Sequence, residues 1–308
     1  MSQKALVTGG AGFIGSHLTR ALLARGIEVT VLDDLSMGKR ENVPADARLI
    51  VGDVRSGDDV ALALEGVDTV FHEAARVSIR SSIAQFYEDA EINLMGTLNL
   101  LQNCAQSSVR RFLFASSMAV YADSKTPDPI SEDYIPEPIS PYGIAKLAAE
   151  KYCLELTRQM DIDCHILRYF NTYGPGQSVT PYVGVITIFI TRLLAGKPPK
   201  IFGDGEQRRD FVHVNDVVNA NLLAMDTSER YGLYNVGTGR ATSVTEISNL
   251  LCQRIAPDIR PEYIPAHAGE LRYSIANIDH ICKSLGYTPK ESLVERIDEI
   301  IENCRLSH

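Results

Sequence analysis

The stretch Ala5-Leu-Val-Thr-Gly-Gly-Ala-Gly-Phe-Ile-Gly-Ser-His-Leu18 constrains the fold more than any other part of the chain. The apolar run Ala5 to Val7 predicts a buried strand, and glycines at 9, 10, 12 and 15 predict a tight turn. Leu18, Leu22 and Leu23 then fall at helical spacing. A strand, a glycine turn and a helix in direct succession bring free helical N–H groups and a positive dipole end to a backbone that a pyrophosphate could approach closely. Gly9, Gly12, Phe13, Ile14 and Gly15 are the residues that would form such a cradle. The spacing Gly9-x-x-Gly12-x-x-Gly15 differs from the common G-x-G-x-x-G, and an ordinary tight turn reads the same way. The rest of the chain must decide.

Composition narrows the classes. The 308 residues suffice for one large domain or two smaller ones, and 45% apolar with 22% charged residues is ordinary for a globular protein. A net charge of −9 argues against general affinity for nucleic acid or an anionic membrane, so a phosphate-bearing ligand must be held by a few placed cations. The N-terminus enters a strand at once, without a basic and apolar leader, and the apolar segment 183–194 is too short to span a bilayer. Six cysteines without metal-like spacing predict reduced thiols and a cytoplasmic protein, with no metal site.

Further along, Glu28 to Leu32 predicts a second strand ending at Asp33, 18 positions after Gly15. A carboxylate there suits an adenosine ribose and would repel the extra phosphate of NADP, favouring NAD. Strands at 48–51 and 69–71 follow, with a short helix at 58–64 between them. The second of these strands delivers His72 and then Ala74 and Ala75, small enough for a cofactor to lie flat. His72 could be a base, but a strand-end histidine satisfied by backbone is the plainer reading. A helix is expected over 92–106 with Asn93 near its start, and a strand over 112–117 delivers Ser116 and Ser117 to its carboxyl end. Strand–helix alternation of this kind implies an α/β fold with a doubly wound parallel sheet of Rossmann type.

A proline-rich loop precedes a helix expected over 142–160, in which Tyr142 and Lys146 share one face. An ammonium near a phenol stabilises the phenolate and lowers its pKa toward working pH. After a strand at 164–169 the composition changes, and a boundary is expected near 173: a dinucleotide-binding domain over 1–173 and a smaller mixed α/β domain over 174–308, some of whose segments return to the first. Arg208 and Arg209 beside a glycine-rich loop would suit a diphosphate, though a solvated loop would carry them equally well. Helices at 216–225 and 244–255 and a strand at 232–236 are the other regular elements expected in this half.

Taken together, Thr8 to Gly15, Gly52-Asp53-Val54, Ser116 to Tyr121, Tyr142 to Lys146, Arg168 to Asn171 and Arg209 to Val214 resemble the extended short-chain dehydrogenases/reductases that act as nucleotide-sugar epimerases and dehydratases. The resemblance covers nearly the whole chain. It implies NAD as cofactor, held by the glycine-loop residues, Asp33, Asp53, Val54, Ala74, Ala75, Asn93, Ser116, Tyr142, Lys146 and Tyr169. It also implies Tyr142 as acid/base, Lys146 as its helper and Ser117 as the group that meets the reacting hydroxyl. Ser117, Tyr142, Asn171, Phe202, Arg209, His267, Arg272 and Ser274 match substrate-holding positions. A homodimer formed by the helices at 92–106 and 142–160 is implied as well.

Within the family, dehydratases carry an adjacent Asp-Glu after the catalytic hydroxyl, where this chain has Met118 and Ala119. Without a second acid or base, the resemblance points to UDP-hexose 4-epimerases: transient oxidation at carbon 4, rotation of the keto sugar and its reduction on the other face. UDP-glucuronate 4-epimerase or a sugar-nucleotide reductase is the alternative, and a catalytically silent scaffold is disfavoured by the intact Ser117, Tyr142 and Lys146. His267 replaces a usual arginine, Ala122 a usual glycine, and a small Ser274 at the sugar pocket would leave room for an N-acetyl group.

Overall fold

The computed structural model describes residues 3–77, 79–121, 124, 126–177, 184–266 and 271–306, without the side chains of 79 and 80. Ala122 and His267 therefore lie outside the described residues. In the first half, β1 (Lys4–Thr8), α1 (Phe13–Ala24), β2 (Glu28–Asp33), β3 (Arg48–Val51), α2 (Gly57–Ala63) and β4 (Thr69–His72) alternate as expected. Next come α3 (Ile79–Ala84), α4 (Phe86–Ala90), a π-helical turn (Glu91–Met95), α5 (Gly96–Cys104), β5 (Arg111–Ser117), a 3-10 turn (Met118–Val120), α6 (Pro141–Gln159) and β6 (Asp163–Tyr169). The helix expected to begin at 92 is thus a continuation of α4 through a π-helical turn, and it stops at Cys104.

The second half contains β7 (Asn171–Tyr173), α7 (Val185–Leu194), β8 (Lys200–Phe202), β9 (Arg208–Arg209), β10 (Phe211–His213), α8 (Val214–Asp226) and β11 (Tyr231–Val236). It closes with β12 (Thr242–Ser243), α9 (Val244–Ile255), β13 (Glu262–Ile264), β14 (Tyr273–Ser274), α10 (Asp279–Leu285) and α11 (Leu293–Leu306). α7, α10, α11 and the strands of two or three residues were not anticipated.

Seven parallel strands form the main sheet in the order β11-β6-β5-β4-β1-β2-β3. Its strands are apolar on both faces, as a sheet covered by helices on both sides requires. On one face Val7, Val31 and Leu167 pack with Leu18 and Leu22 of α1, Val217 and Leu222 of α8 and Ile281 of α10. On the other, Leu6, Phe112 and Ile166 pack with Val60 of α2, Leu100 of α5 and Ala149 and Cys153 of α6. The seventh strand and α8 come from beyond residue 173, so the chain returns to the sheet after leaving it. A separate core, with Ile190, Ile247, Leu251, Ile297 and Ile301, joins α7, α9 and α11.

The order of the sheet switches beside β1, where successive crossovers pass to opposite faces, and the carboxyl ends of β1, β4, β5 and β6 face one side there. A doubly wound sheet has its ligand crevice at that switch. All six cysteines are unpaired thiols. Among the described residues no helix is long and apolar enough to cross a membrane, and no group of three or more His, Cys, Asp or Glu is placed to hold a metal.

Candidate active site

The glycine turn is shaped by contact rather than by flexibility. Gly9 has a φ of +70°, and a Cβ on it would lie 2.7 Å from the Ala74 nitrogen; one on Gly15 would lie 2.3 Å from the Gly9 carbonyl oxygen. The turn is therefore pressed against the end of β4 and against its own helix. Gly12 is the N-cap of α1 and offers no side-chain cap, so N–H groups of the first turn, at Phe13 and Ile14, have no capping oxygen and are available to an anionic group. A Cβ on Gly12 would meet just one atom closely, Gly9 O at 3.1 Å.

Asp33 ends β2 beside this turn. Its two carboxylate oxygens accept from the Ala11 and Leu35 nitrogens, each at 2.9 Å, while burial raises its pKa. Each oxygen keeps a lone pair for a sugar hydroxyl. Half-buried Ala74 and Ala75 continue the floor, and Thr8 Oγ1 accepts from Ala74 N at 3.2 Å. This set fits a dinucleotide: an uncapped helix start, a close glycine backbone, small floor residues and a carboxylate at the second strand.

Other expected cofactor residues are engaged within the protein. Asp53 forms a forked pair with Arg55, which holds the carboxyl below its usual range, and Val54 is buried beside it. Asn93, in the π-helical turn, uses its amide to bind both the nitrogen and the carbonyl of Arg76, at 3.0 and 3.1 Å, fixing the loop after β4. His72 is indeed satisfied, but by two hydroxyls and not by backbone: Nδ1 meets Thr8 Oγ1 at 2.7 Å and Nε2 meets Thr97 Oγ1 at 2.9 Å. Burial lowers its pKa to about 3, so it stays neutral.

The catalytic candidates converge because α6 approaches β5 closely. Ser140 caps α6 by accepting from Gly143 N at 3.1 Å, with Pro141 pre-set at the first helical position. A Cβ on Gly143 would lie 2.2 Å from the Ala119 carbonyl oxygen. Only glycine permits this approach, which sets the Tyr142 phenol beside Ser117, whose Oγ accepts from Ala119 N at 3.2 Å. Tyr142 and Lys146 are 4% and 2% exposed. Lys146 Nζ donates to Ala115 O at 2.9 Å and lies over the Phe114 ring.

The electrostatics differ from the expected ammonium-depressed phenol. Burial raises the Tyr142 pKa; Ser117 opposes the rise, and Asp89 and Glu73 add to it. Burial lowers Lys146 to about 8, with nearby acidic groups, Glu73 foremost, holding it up. In the protein alone, desolvation therefore outweighs the lysine's influence on the phenol.

One turn beyond Lys146, Glu150 meets Arg168 of β6 in a bidentate pair (2.9 and 2.7 Å) in which both side chains are 1% exposed. Ser116 Oγ donates to the same carboxylate at 2.5 Å, and Arg168 donates to Tyr121 Oη at 2.7 Å. Tyr121 in turn donates to Asn235 Oδ1 at 2.8 Å. Ser116 is thus committed inside the sheet, and Ser117 stands at its edge. The Tyr142–Lys146 spacing of four was read from the sequence; Glu150 and its partner on β6 were not.

On the second half, Asn171 Nδ2 donates to Asp210 O at 3.0 Å, pinning β7 to β10. Arg209 donates to the carbonyls of Arg208, Leu271 and Arg272, and Arg272 pairs with Asp204 at 2.7 Å. Phe202 is half-buried at the end of β8. Ser274 is wholly buried, and among the described residues its hydroxyl has no hydrogen-bond partner. Asp210, absent from the sequence reading as a site residue, accepts from Thr238, Gly239 and Ala276 and ties the β9–β10 corner to the second half.

Residues 5–237 match the NAD-dependent epimerase/dehydratase family. The chain belongs to that family. It is 36% identical over 308 residues to the UDP-glucose 4-epimerase of Mycolicibacterium smegmatis, covering 98% of each chain. Its structure is similar to that of UDP-glucose 4-epimerase with UDP-glucose from Thermotoga maritima (TM-score 0.94, 39% identity, 99% of each chain). It is also similar to UDP-N-acetylglucosamine 4-epimerase from Methanobrevibacter ruminantium in complex with UDP-N-acetylmuramic acid (TM-score 0.94, 32% identity, 100% of this chain and 99% of that one). NAD dependence is a property of the family, and the glycine turn, Asp33 and the alanine floor suit it.

Proposed function

We propose that the protein is an NAD-dependent UDP-hexose 4-epimerase, interconverting UDP-glucose and UDP-galactose, with UDP-GlcNAc and UDP-GalNAc as further candidates. The observation that carries this reading is the pairing of Ser117 with Tyr142 next to a buried, apolar Met118 and Ala119. The two positions that follow Ser117 offer no second acid or base for elimination or decarboxylation. NAD, when bound, supplies a reversible two-electron oxidation of the sugar carbon.

The protein's own residues then divide the work. Ser117 hydrogen-bonds the reacting hydroxyl and Tyr142, so that the proton has a short path to the phenol oxygen. Tyr142 takes that proton as base and gives it back as acid. Lys146, held by the Ala115 carbonyl, keeps positive charge near the pair. Arg209 and Arg272 supply guanidinium donors for the diphosphate, assisted by Asn171, and Phe202 packs the base. Rotation of the keto sugar needs a pocket free of bulky walls; Ser274 is small, and its buried hydroxyl is a donor without a partner among the described residues.

We also read residues 1–173 with the returning segment 214–236 as the cofactor-binding part, and the remainder as the sugar-nucleotide part. A homodimer is supported by apolar side chains left exposed on α6 and on the helical segments beside it: Tyr152 on α6, Phe86 and Tyr87 on α4, and Met95 in the π-helical turn. The six unpaired thiols support a reducing, cytoplasmic location.

The test is incubation of the purified protein with UDP-galactose, UDP-GalNAc or UDP-galacturonate, without added reductant, followed by NMR of the sugars. Conversion of either of the first two to its C4 epimer is the expected result. Conversion of UDP-galacturonate alone would replace this reading with a UDP-glucuronate 4-epimerase. A strict need for added NADH would replace it with a reductase.

A further inference from the structure

Glu73 follows β4 directly, at the same sheet edge as the catalytic groups. Its Oε1 accepts from Tyr169 Oη at 2.7 Å, and Asn221 Nδ2 of α8 donates to the same phenol oxygen at 2.7 Å. Tyr169 ends β6, and β5 lies between β4 and β6. The Glu73–Tyr169 bond therefore bridges the strand that carries Ser117, and Ser117 is in register with Tyr169.

Several ionisable groups face Lys146, and they differ in what else they are bound to. Glu150 is paired with Arg168, and the Cys153 thiol is kept protonated by burial; Asp89 of α4 is wholly buried, with neither carboxylate oxygen hydrogen-bonded among the described residues, and its charge also reaches Tyr142 and, less than that of Glu73, Lys146. Glu73 has a neutral phenol as its hydrogen-bond partner, and both Lys146 and Tyr142 of α6 feel its charge. Burial raises Glu73 to about 7 against the pull of Tyr169 and Lys146, while Lys146 lies at about 8.

We propose that Glu73 is a positioning residue of the catalytic pair: strapped to Tyr169 at the sheet edge, its carboxylate keeps the Lys146 ammonium charged beside Ser117 and Tyr142. The inference rests on the acid–base reading of Tyr142 and Lys146. Its sign is definite. Without the carboxylate, Lys146 loses its proton at lower pH, and Tyr142, relieved of a like charge, ionises at lower pH. Both limbs of the pH profile move toward acid.

Two measurements test this in protein saturated with NAD. Carbon-13 NMR at glutamate Cδ, with no sugar nucleotide present, follows Glu73 through a resonance assigned by its loss in Glu73→Gln. A midpoint above the ordinary carboxylate range, rising further in Tyr169→Phe and in Lys146→Met, is expected. A midpoint in the ordinary range, or one indifferent to Lys146→Met, overturns the proposal. For turnover, Glu73→Gln, which keeps the acceptor for Tyr169, should displace the whole kcat profile to acid by about one pH unit. A uniform loss at every pH with the profile unmoved marks a merely structural strap and also overturns it. The NMR arm needs no substrate, so a wrong sugar assignment would leave its result standing.

Discussion

The two halves of the site are built differently. At the carboxyl edge of the main sheet, Tyr142, Lys146, Glu150 and Arg168 are all 4% exposed or less and tied to one another or to neighbouring strands. In the second half, the Arg272–Asp204 pair is exposed, at 43% and 58%, and Arg209 is held by backbone carbonyls. In the proposed function, the chemistry is fixed in a buried interior where partners cannot be exchanged cheaply. In the proposed function, recognition falls to cations that can trade a weak partner for a diphosphate, because an exposed ion pair contributes only about 0–1 kcal/mol. The difference suits an enzyme whose reacting carbon must be held tightly while its sugar turns.

Substitutions should break this contrast to unequal degrees. Tyr142→Phe is expected to cost the most, lowering kcat by roughly 10²–10⁴-fold with NAD still bound, as read by turnover and by cofactor released on denaturation. Glu150→Ala leaves Arg168 buried and uncompensated, and should destabilise the fold by about 3–5 kcal/mol in urea unfolding. Replacing both members, as Glu150→Leu with Arg168→Met, should recover most of that loss; if it does not, the pair is more than a buried charge match. Arg272→Ala should change stability by less than about 1 kcal/mol while raising KM for the sugar nucleotide, so the same experiment on the two halves gives opposite balances of stability and binding.

Much of the first contrast was legible in the sequence. The glycine turn, the strand-end Asp33 and the four-residue spacing of Tyr142 and Lys146 are local patterns, and local patterns survive in one dimension. What escaped depends on contacts between distant segments. Arg168 and Glu150 read as ordinary charges in a strand and a helix until α6 lies across β5 and β6. Glu73 reads as a polar strand end until Tyr169 reaches it from two strands away. His72 was expected to be satisfied by backbone, yet its partners are Thr8 and Thr97, 64 and 25 residues off. The small strands β9, β12 and β14 have two residues each, too few for alternation to register. α11 carries four buried aliphatic or thiol side chains at helical spacing, Ile297, Ile300, Ile301 and Cys304, so its pattern was available but unread.

The late return of the chain to the sheet sets a timetable for synthesis. β6 is made by residue 169, but β11, which covers its outer edge, is complete only at residue 236. At about 5–20 residues per second, a ribosome needs roughly 3–13 seconds to make the intervening segment. For that interval β6 is an uncapped edge whose N–H and C=O groups invite another strand, and α1 lacks the α8 helix beside it. A nascent chain halted between these points would be the form most in need of a chaperone, although every residue of the catalytic pair has already been made.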